Sequence, residues 1–212
     1  KGIKFSDVVD AYKNGTEEQL AETVPLHSAI LDMAVLNLPN PIVAQKYRVP
    51  KVWKGEADSV IGKAMANCDE NGPTVICLTS AMMDPHAGLV ATGRVFSGCI
   101  NEGDRIYLVG AKKDYRVQQV SMYMGAYREV VGKIGAGNIA ALLGMDLARA
   151  GETLISNEHK EGMIPFENIQ YVSEPVITIA IEPKHPRELP RLIELMDRLA
   201  IDDPNLVTKI NK

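Results

Sequence analysis

Glycines at positions 88, 98, 103, 110, 125, 137, 144, 151 and 162 cut residues 73–171 into short apolar runs. The runs read PTVICLTS, LVATGRVFSG, DRIYLVG, DYRVQQVSMYM, REVVGKI, NIAALLG, TLISN and PFENIQYV. Short strands at even spacing, each closed by a glycine-containing turn, specify an antiparallel sandwich or barrel. Asn101-Glu102-Gly103-Asp104 has the form of a hairpin loop, its glycine supplying the positive φ that a tight return needs.

The flanks have a different character. Thr16-Glu17-Glu18-Gln19 has the form of a helical capping box, with Gly15 before it suited to end the preceding helix. Pro25 suits a first helical position, and Leu26, Ile30, Met33 and Leu36 follow at helical spacing as one apolar face. Pro39 and Pro41 end that helix, because neither can continue its hydrogen-bond ladder. Residues 39–72 carry Pro39, Pro41, Pro50, Gly55 and Gly72 with little sustained period, and predict a partly ordered connection with a short strand or two. Trp53 is expected to plug that connection onto a neighbouring domain.

Beyond the glycine-punctuated region, VITIAIEP (176–183) predicts a β-branched strand. Leu189, Leu192, Ile193, Met196 and Leu199 predict an amphipathic helix, and residues 205–210 a second strand. That is half of a split β-α-β unit, whose uncovered faces suggest a cut chain. The absence of an initiator methionine fits an excised segment or a processed product. The expected fold is mainly β with α+β flanks. It divides into a helical part (1–38), a linker (39–72), a β-barrel (73–172) and a truncated β-α-β (173–212).

Bulk properties exclude several classes. A net charge of −4 over 212 residues gives no global basic field, so nucleic-acid binding would need a local patch. No apolar run reaches the about 18 residues of a membrane span, and no apolar core follows the first residues to make a signal peptide. Cys68, Cys77 and Cys99 are odd in number and lack metal spacing, so they predict buried thiols in a reducing cytoplasm.

Catalytic signatures are sparse. The chain contains no G-x-x-x-x-G-K-[ST] phosphate loop, no G-x-S-x-G elbow and no H-E-x-x-H. His27, His86, His159 and His185 stand far apart, without Cys or His partners at metal-ligand spacing. Residues 135–140 match the dinucleotide fingerprint G-x-G-x-x-A, but the preceding segment is short and half polar, and Gly144 interrupts the helix it would require. A barrel turn is the better reading there, as it is for Pro85-His86-Ala87-Gly88. Lys112, Lys113 and Arg116 fall on an expected hairpin and Arg94 on a strand. Such cations form either a solvated face or a local phosphate-contacting surface.

The stretch SAMMDPHAGLVATGRVFSGCINEGDRIYLVG (80–110) resembles the start of the second domain of the elongation factor 2 family of ribosomal translocases. LHSAILDMAVLNLPNPIVAQKYRVPKVWKG (26–55) is similar to the end of that family's GTP-binding domain and the link onward. MYMGAYREVVGKIGAGNIAALLGMD (122–146) is similar to later barrel strands, and EPVITIAIEPKHPRELPRLIELMDRLAIDDP (174–204) to the opening of a ferredoxin-like third domain. The wording looks archaeal. The resemblance implies a cytoplasmic GTPase that moves tRNA and mRNA on the ribosome, with GTP and magnesium bound outside these residues. It implies docking on small-subunit rRNA and ribosomal proteins, contacts with other domains of the same factor, and no membrane partner. Arg94, Lys112, Lys113 and Arg116 are the expected rRNA contacts. His185, Arg187 and Arg191 are the expected contacts of the third domain. No catalytic, cofactor or metal residue carries over to this chain. A stand-alone RNA- or protein-binding barrel, a paralogous GTPase of RNA processing and a nicotinamide enzyme using residues 135–140 remain as alternatives.

Overall fold

Alternation along one strand sets the frame. β2 (Gly88–Ser97) turns Leu89, Ala91 and Val95 into one apolar cluster and Val90 and Phe96 to the opposite face, the period-two geometry of a pleated strand. The computed structural model describes residues 3–84, 86–167, 176–203 and 205–209. The other strands are β1 (Val75–Asp84), β3 (Cys99–Asn101), β4 (Arg105–Leu108), β5 (Lys113–Arg116), β6 (Gln119–Met124), β7 (Tyr127–Val130), β8 (Lys133–Gly135), β9 (Ile139–Leu143) and β10 (Thr153–Ser156).

Eight strands join in the order β5-β4-β10-β1-β2-β9-β6-β7, and β3 pairs with β8 in a separate ribbon. Every pairing is antiparallel. The inner face buries Ile76, Leu78, Ile100, Ile106, Leu108, Val120, Leu142 and Leu154, all essentially inaccessible to solvent. Val117 and Gln118 separate β5 from β6 where the sequence suggested one continuous run. Val131 and Gly132 likewise separate β7 from β8.

The chain divides into two compact units, Lys1–Asn40 and Pro41–Lys212. In the first, α1 (Phe5–Asn14) ends on Gly15 in the left-handed region, followed by α2 (Glu17–Thr23) and α3 (Leu26–Asn37). Helix α2 begins where the sequence predicted, but the Thr16 hydroxyl bonds back to the Ala11 carbonyl instead of capping it. Pro25 is the residue before α3 and not its first turn. The predicted stripe of Leu26, Ile30, Met33 and Leu36 is exposed.

Residues 39–72 correct the sequence reading. They form no strand. α4 (Pro41–Val52) and α5 (Val60–Asn67) occupy most of the segment. Pro41 opens α4, where its missing N–H costs nothing, and Pro50 falls in its last turn. Ser59 caps α5, accepting a hydrogen bond from the Gly62 amide at 3.0 Å. Gly55 is glycine because a Cβ there would run into the Trp53 indole.

Both helices pack on the outer face of the sheet. Val49 of α4, Trp53 just beyond its end, and Ile61 and Met65 of α5 form a second cluster with Val75, Phe96, Ile155, Met163 and Phe166. Trp53 plugs this layer as expected: its indole N–H donates to the Ile164 carbonyl at 2.6 Å.

The C-terminal part also departs from expectation. Residues 176–183 form no strand, and Val176, Ile177, Ile179 and Ile181 are exposed. Residues 205–209 likewise form none, and Ile210 lies outside the described residues, as do residues 168–172 of the last apolar run. β-branched residues specify a strand only when a neighbouring strand supplies hydrogen-bond partners. The predicted amphipathic helix is present as α6 (Leu189–Asp202), with Ile201 packed against the inner cluster.

Trp53→Phe keeps the ring in its cluster but leaves the Ile164 carbonyl without its donor. A loss of about 1–3 kcal/mol in urea-denaturation stability is expected, against about 3–5 kcal/mol for Trp53→Ala. Equal stability of the Phe variant and the parent would refute a role for the indole N–H.

Candidate nucleic-acid interface

Strands β4 and β5 form a hairpin at one edge of the eight-stranded sheet, with β5 outermost. Gly103 at φ 86° turns the chain into β4, and Lys112 enters the left-handed region at φ 52° just before β5. The register places Arg105 opposite Arg116, Ile106 opposite Tyr115, Tyr107 opposite Asp114, and Leu108 opposite Lys113. Because directly opposed residues share a face, Lys113 and Tyr115 lie on the inner side while Asp114 and Arg116 lie on the outer side.

The four expected rRNA contacts are therefore not one patch. Lys112 is exposed in the turn. On the inner side, the Lys113 ammonium meets the Asp146 carboxylate at 3.2 Å and sits 4.8 Å from the centre of the Tyr115 ring. The Tyr115 hydroxyl donates to the same carboxylate at 2.5 Å. These bonds from Tyr115 and Lys113 hold the Asp146 carboxyl below the usual carboxylate range. Burial, then the Asp146 bond, pushes the Tyr115 phenol up. Asp146 thus offsets much of the charge that Lys113 would offer an anion.

Arg116 points outward, its guanidinium Nε donating to the Gly103 carbonyl at 3.2 Å. Arg94 shares the outer face but lies three strands from β4 in the sheet order, its guanidinium 6.0 Å above the Phe96 ring. Between them lies the cluster of α4, α5 and residues 163–166. His185 precedes a 3-10 turn (Pro186–Glu188), its carbonyl accepting from the Glu188 amide at 2.9 Å. Arg187 and Arg191 are exposed on that turn and on α6.

Two outer-face cations escaped the sequence reading. Arg105 is exposed opposite Arg116. Lys160, on a 3-10 turn (Asn157–Gly162), holds its ammonium 5.3 Å from the centre of the Tyr107 ring. The signal for Arg105 was available: closing DRIYLVG onto DYRV around the intervening turn sets the two arginines opposite one another. Lys160 is distant in sequence and gave no such signal.

The two decoys resolve as turns. Asp84 accepts from the His86 and Ala87 amides at 2.8 and 2.9 Å, bonds that hold its carboxyl below the usual range. Residues 135–140 turn β8 into β9, with Gly137 at φ 86° and the Asn138 side-chain Nδ2 donating to the Gly135 carbonyl at 3.1 Å. The helix that a dinucleotide site needs is replaced by strand β9.

The chain contains a small antiparallel β-domain flanked by helices, and residues 88–155 match the family model of elongation factor Tu domain 2. Over its whole length the chain is 56% identical to elongation factor 2 of Staphylothermus marinus, 54% to that of Sulfurisphaera tokodaii and 53% to that of Ignicoccus hospitalis. In each case the alignment covers 100% of this chain and 29% of the relative. The chain belongs to the elongation factor 2 family and corresponds to a segment of its longer members. No helix among the described residues is long and apolar enough to cross a membrane.

If Asp146 helps hold the Tyr115 proton, Asp146→Asn lowers the Tyr115 titration midpoint, read from its ring signals by NMR. A raised folded-state midpoint makes this contribution to stability present below the ordinary tyrosine range and lost as pH rises through the folded value. An unmoved midpoint in the Asn variant would refute the coupling.

Proposed function

We propose that this chain is the ribosome-docking and lever segment of a GTP-driven translocase, working with the rest of a longer polypeptide in the cytoplasm. In this reading residues 1–38 close the GTP-binding domain, 39–72 link it onward, 73–172 are the docking β-domain, and 173–212 open a ferredoxin-like third domain. The observation that carries the docking role is the β4–β5 hairpin, which presents Lys112, Arg105 and Arg116 at an exposed sheet edge of a chain whose net charge is −4. Local cations on an acidic chain suit a partner with a dense phosphate backbone, and small-subunit rRNA is that partner. Arg94 is a second, separate contact. His185, Arg187 and Arg191 face other domains of the factor or ribosomal proteins.

GTP and magnesium belong to the parent protein. The residues here do not fit them: the sequence has no phosphate loop, and the described residues bring no three His, Cys, Asp or Glu together as a cation site. The work of this segment is to bind, and to carry nucleotide-driven movements between neighbouring domains.

Reversing charge at Lys112 and Lys113 together weakens binding to purified small ribosomal subunits and flattens its salt dependence. Each phosphate contact removed lowers the slope of log K against log salt by about 0.7–0.9. Lys112→Glu alone should cost more than Lys113→Glu, since Asp146 already holds the latter ammonium. Unchanged affinity and slope in the double variant would sink this reading.

A further inference from the structure

On the outer face of the β4–β5 hairpin, two arginines stand in direct cross-strand register, Arg105 opposite Arg116. Like charges so placed repel and destabilise a strand pair. Both side chains are exposed, and no salt bridge joins either to an acid among the described residues. Arg116 is nevertheless oriented, by its bond to the Gly103 carbonyl at 3.2 Å. Along the same face Lys160 adds a third positive charge above Tyr107. The one acid whose register places it there is Asp114, opposite Tyr107. Between the two strands this face carries two arginines against that one carboxylate, while the turn that bears Lys160 also bears the exposed Glu158 and Glu161.

We propose that Arg105 and Arg116 form a cross-strand clamp for the phosphodiester backbone of an RNA strand, with Lys160 as the third contact. This assignment rests on the docking reading above and names the groups that perform it. An anion between the two guanidinium groups turns their mutual repulsion into two attractions, and the planar fork of arginine suits phosphate oxygens bidentately. The outermost position of β5 places the pair at the edge of the sheet. Tyr107 does not serve as a base-stacking platform, because the Lys160 ammonium occupies its ring face. The clamp thus grips backbone without reading sequence.

The experiment measures binding of this chain to purified small ribosomal subunits across a salt series, for the parent, Arg105→Ala and Arg105→Lys. The alanine variant is expected to bind on the order of tenfold more weakly. Its salt slope should fall by about one phosphate contact. The lysine variant should keep the slope while recovering only part of the affinity, since it retains the charge but not the fork. Circular dichroism confirms that each variant is folded. A parent chain that does not bind subunits overturns the docking reading itself. Binding by the parent with the alanine variant unchanged overturns the clamp and leaves docking intact. Weaker binding by the alanine variant at an unchanged slope assigns Arg105 to a carboxylate-bearing protein partner, and also overturns the phosphate clamp.

Discussion

The side chain of Gln45 joins three elements. From α4 its buried amide donates to the Met65 carbonyl of α5 and to the Phe96 carbonyl of β2, the latter at 2.7 Å. Both bonds are donated by Nε2 and fix where the side chain can sit, while the buried Oε1 has no hydrogen-bond partner among the described residues. Around it Val49, Trp53, Ile61, Met65, Val75, Phe96, Ile155 and Phe166 close over the outer face of the sheet. The remaining surface follows from this seal. The middle of the face is unavailable to a partner, so its cations are divided between Arg94 at one side and Arg105, Arg116 and Lys160 at the other.

The same hairpin shows how a strand's two faces separate charges that a sequence places together. Lys113 and Arg116 are three residues apart, and the odd spacing sends them to opposite sides. The inner one is drawn to Asp146 and the Tyr115 ring. The outer one remains on the open surface. The charged residues of β5 also guard the edge, since an exposed strand without them would template pairing with another chain. Edge protection and the proposed clamp share Arg116, so an unoccupied clamp still has a structural role.

Much of the β-domain was legible because its signals are local. Glycine turns and short alternating runs marked nearly every strand, and Asn101-Glu102-Gly103-Asp104 contained its left-handed glycine where the loop required one. The helices of segment 39–72 are not legible from its prolines, which signal breaks only when their position in a helix is ignored. Pro41 opens α4, where a missing N–H is cheapest, and Pro50 costs a ladder bond only in the last turn, where the helix is about to end. The strand predicted over residues 176–183 failed for the opposite reason: its pattern is correct, but a strand is a relation between two segments. At the candidate site, individual cations could be found from sequence, but their faces could not. Pairing register alone joins Arg105 to Arg116, and tertiary packing alone brings Lys160 to Tyr107.

The tie between Trp53 and Ile164 bears on how such a module transmits movement. These residues are 111 positions apart, yet one hydrogen bond connects them. A second link follows between Lys54 and Glu167 at 3.5 Å, exposed and correspondingly weak. Phe166 is fixed from the other side, its amide donating to the Thr153 hydroxyl at 2.9 Å and its ring lying 4.8 Å from that of Phe96. The chain enters this unit through α4 and leaves the β-domain through residues 163–167, so entry and exit are held in one layer. A displacement of α4 then acts on the exit segment directly, without passing through ten successive strands. Close-packed apolar clusters deform little under such a load. In the docking role proposed above, the sheet beneath is the anchor and the layer above it the part that carries the motion.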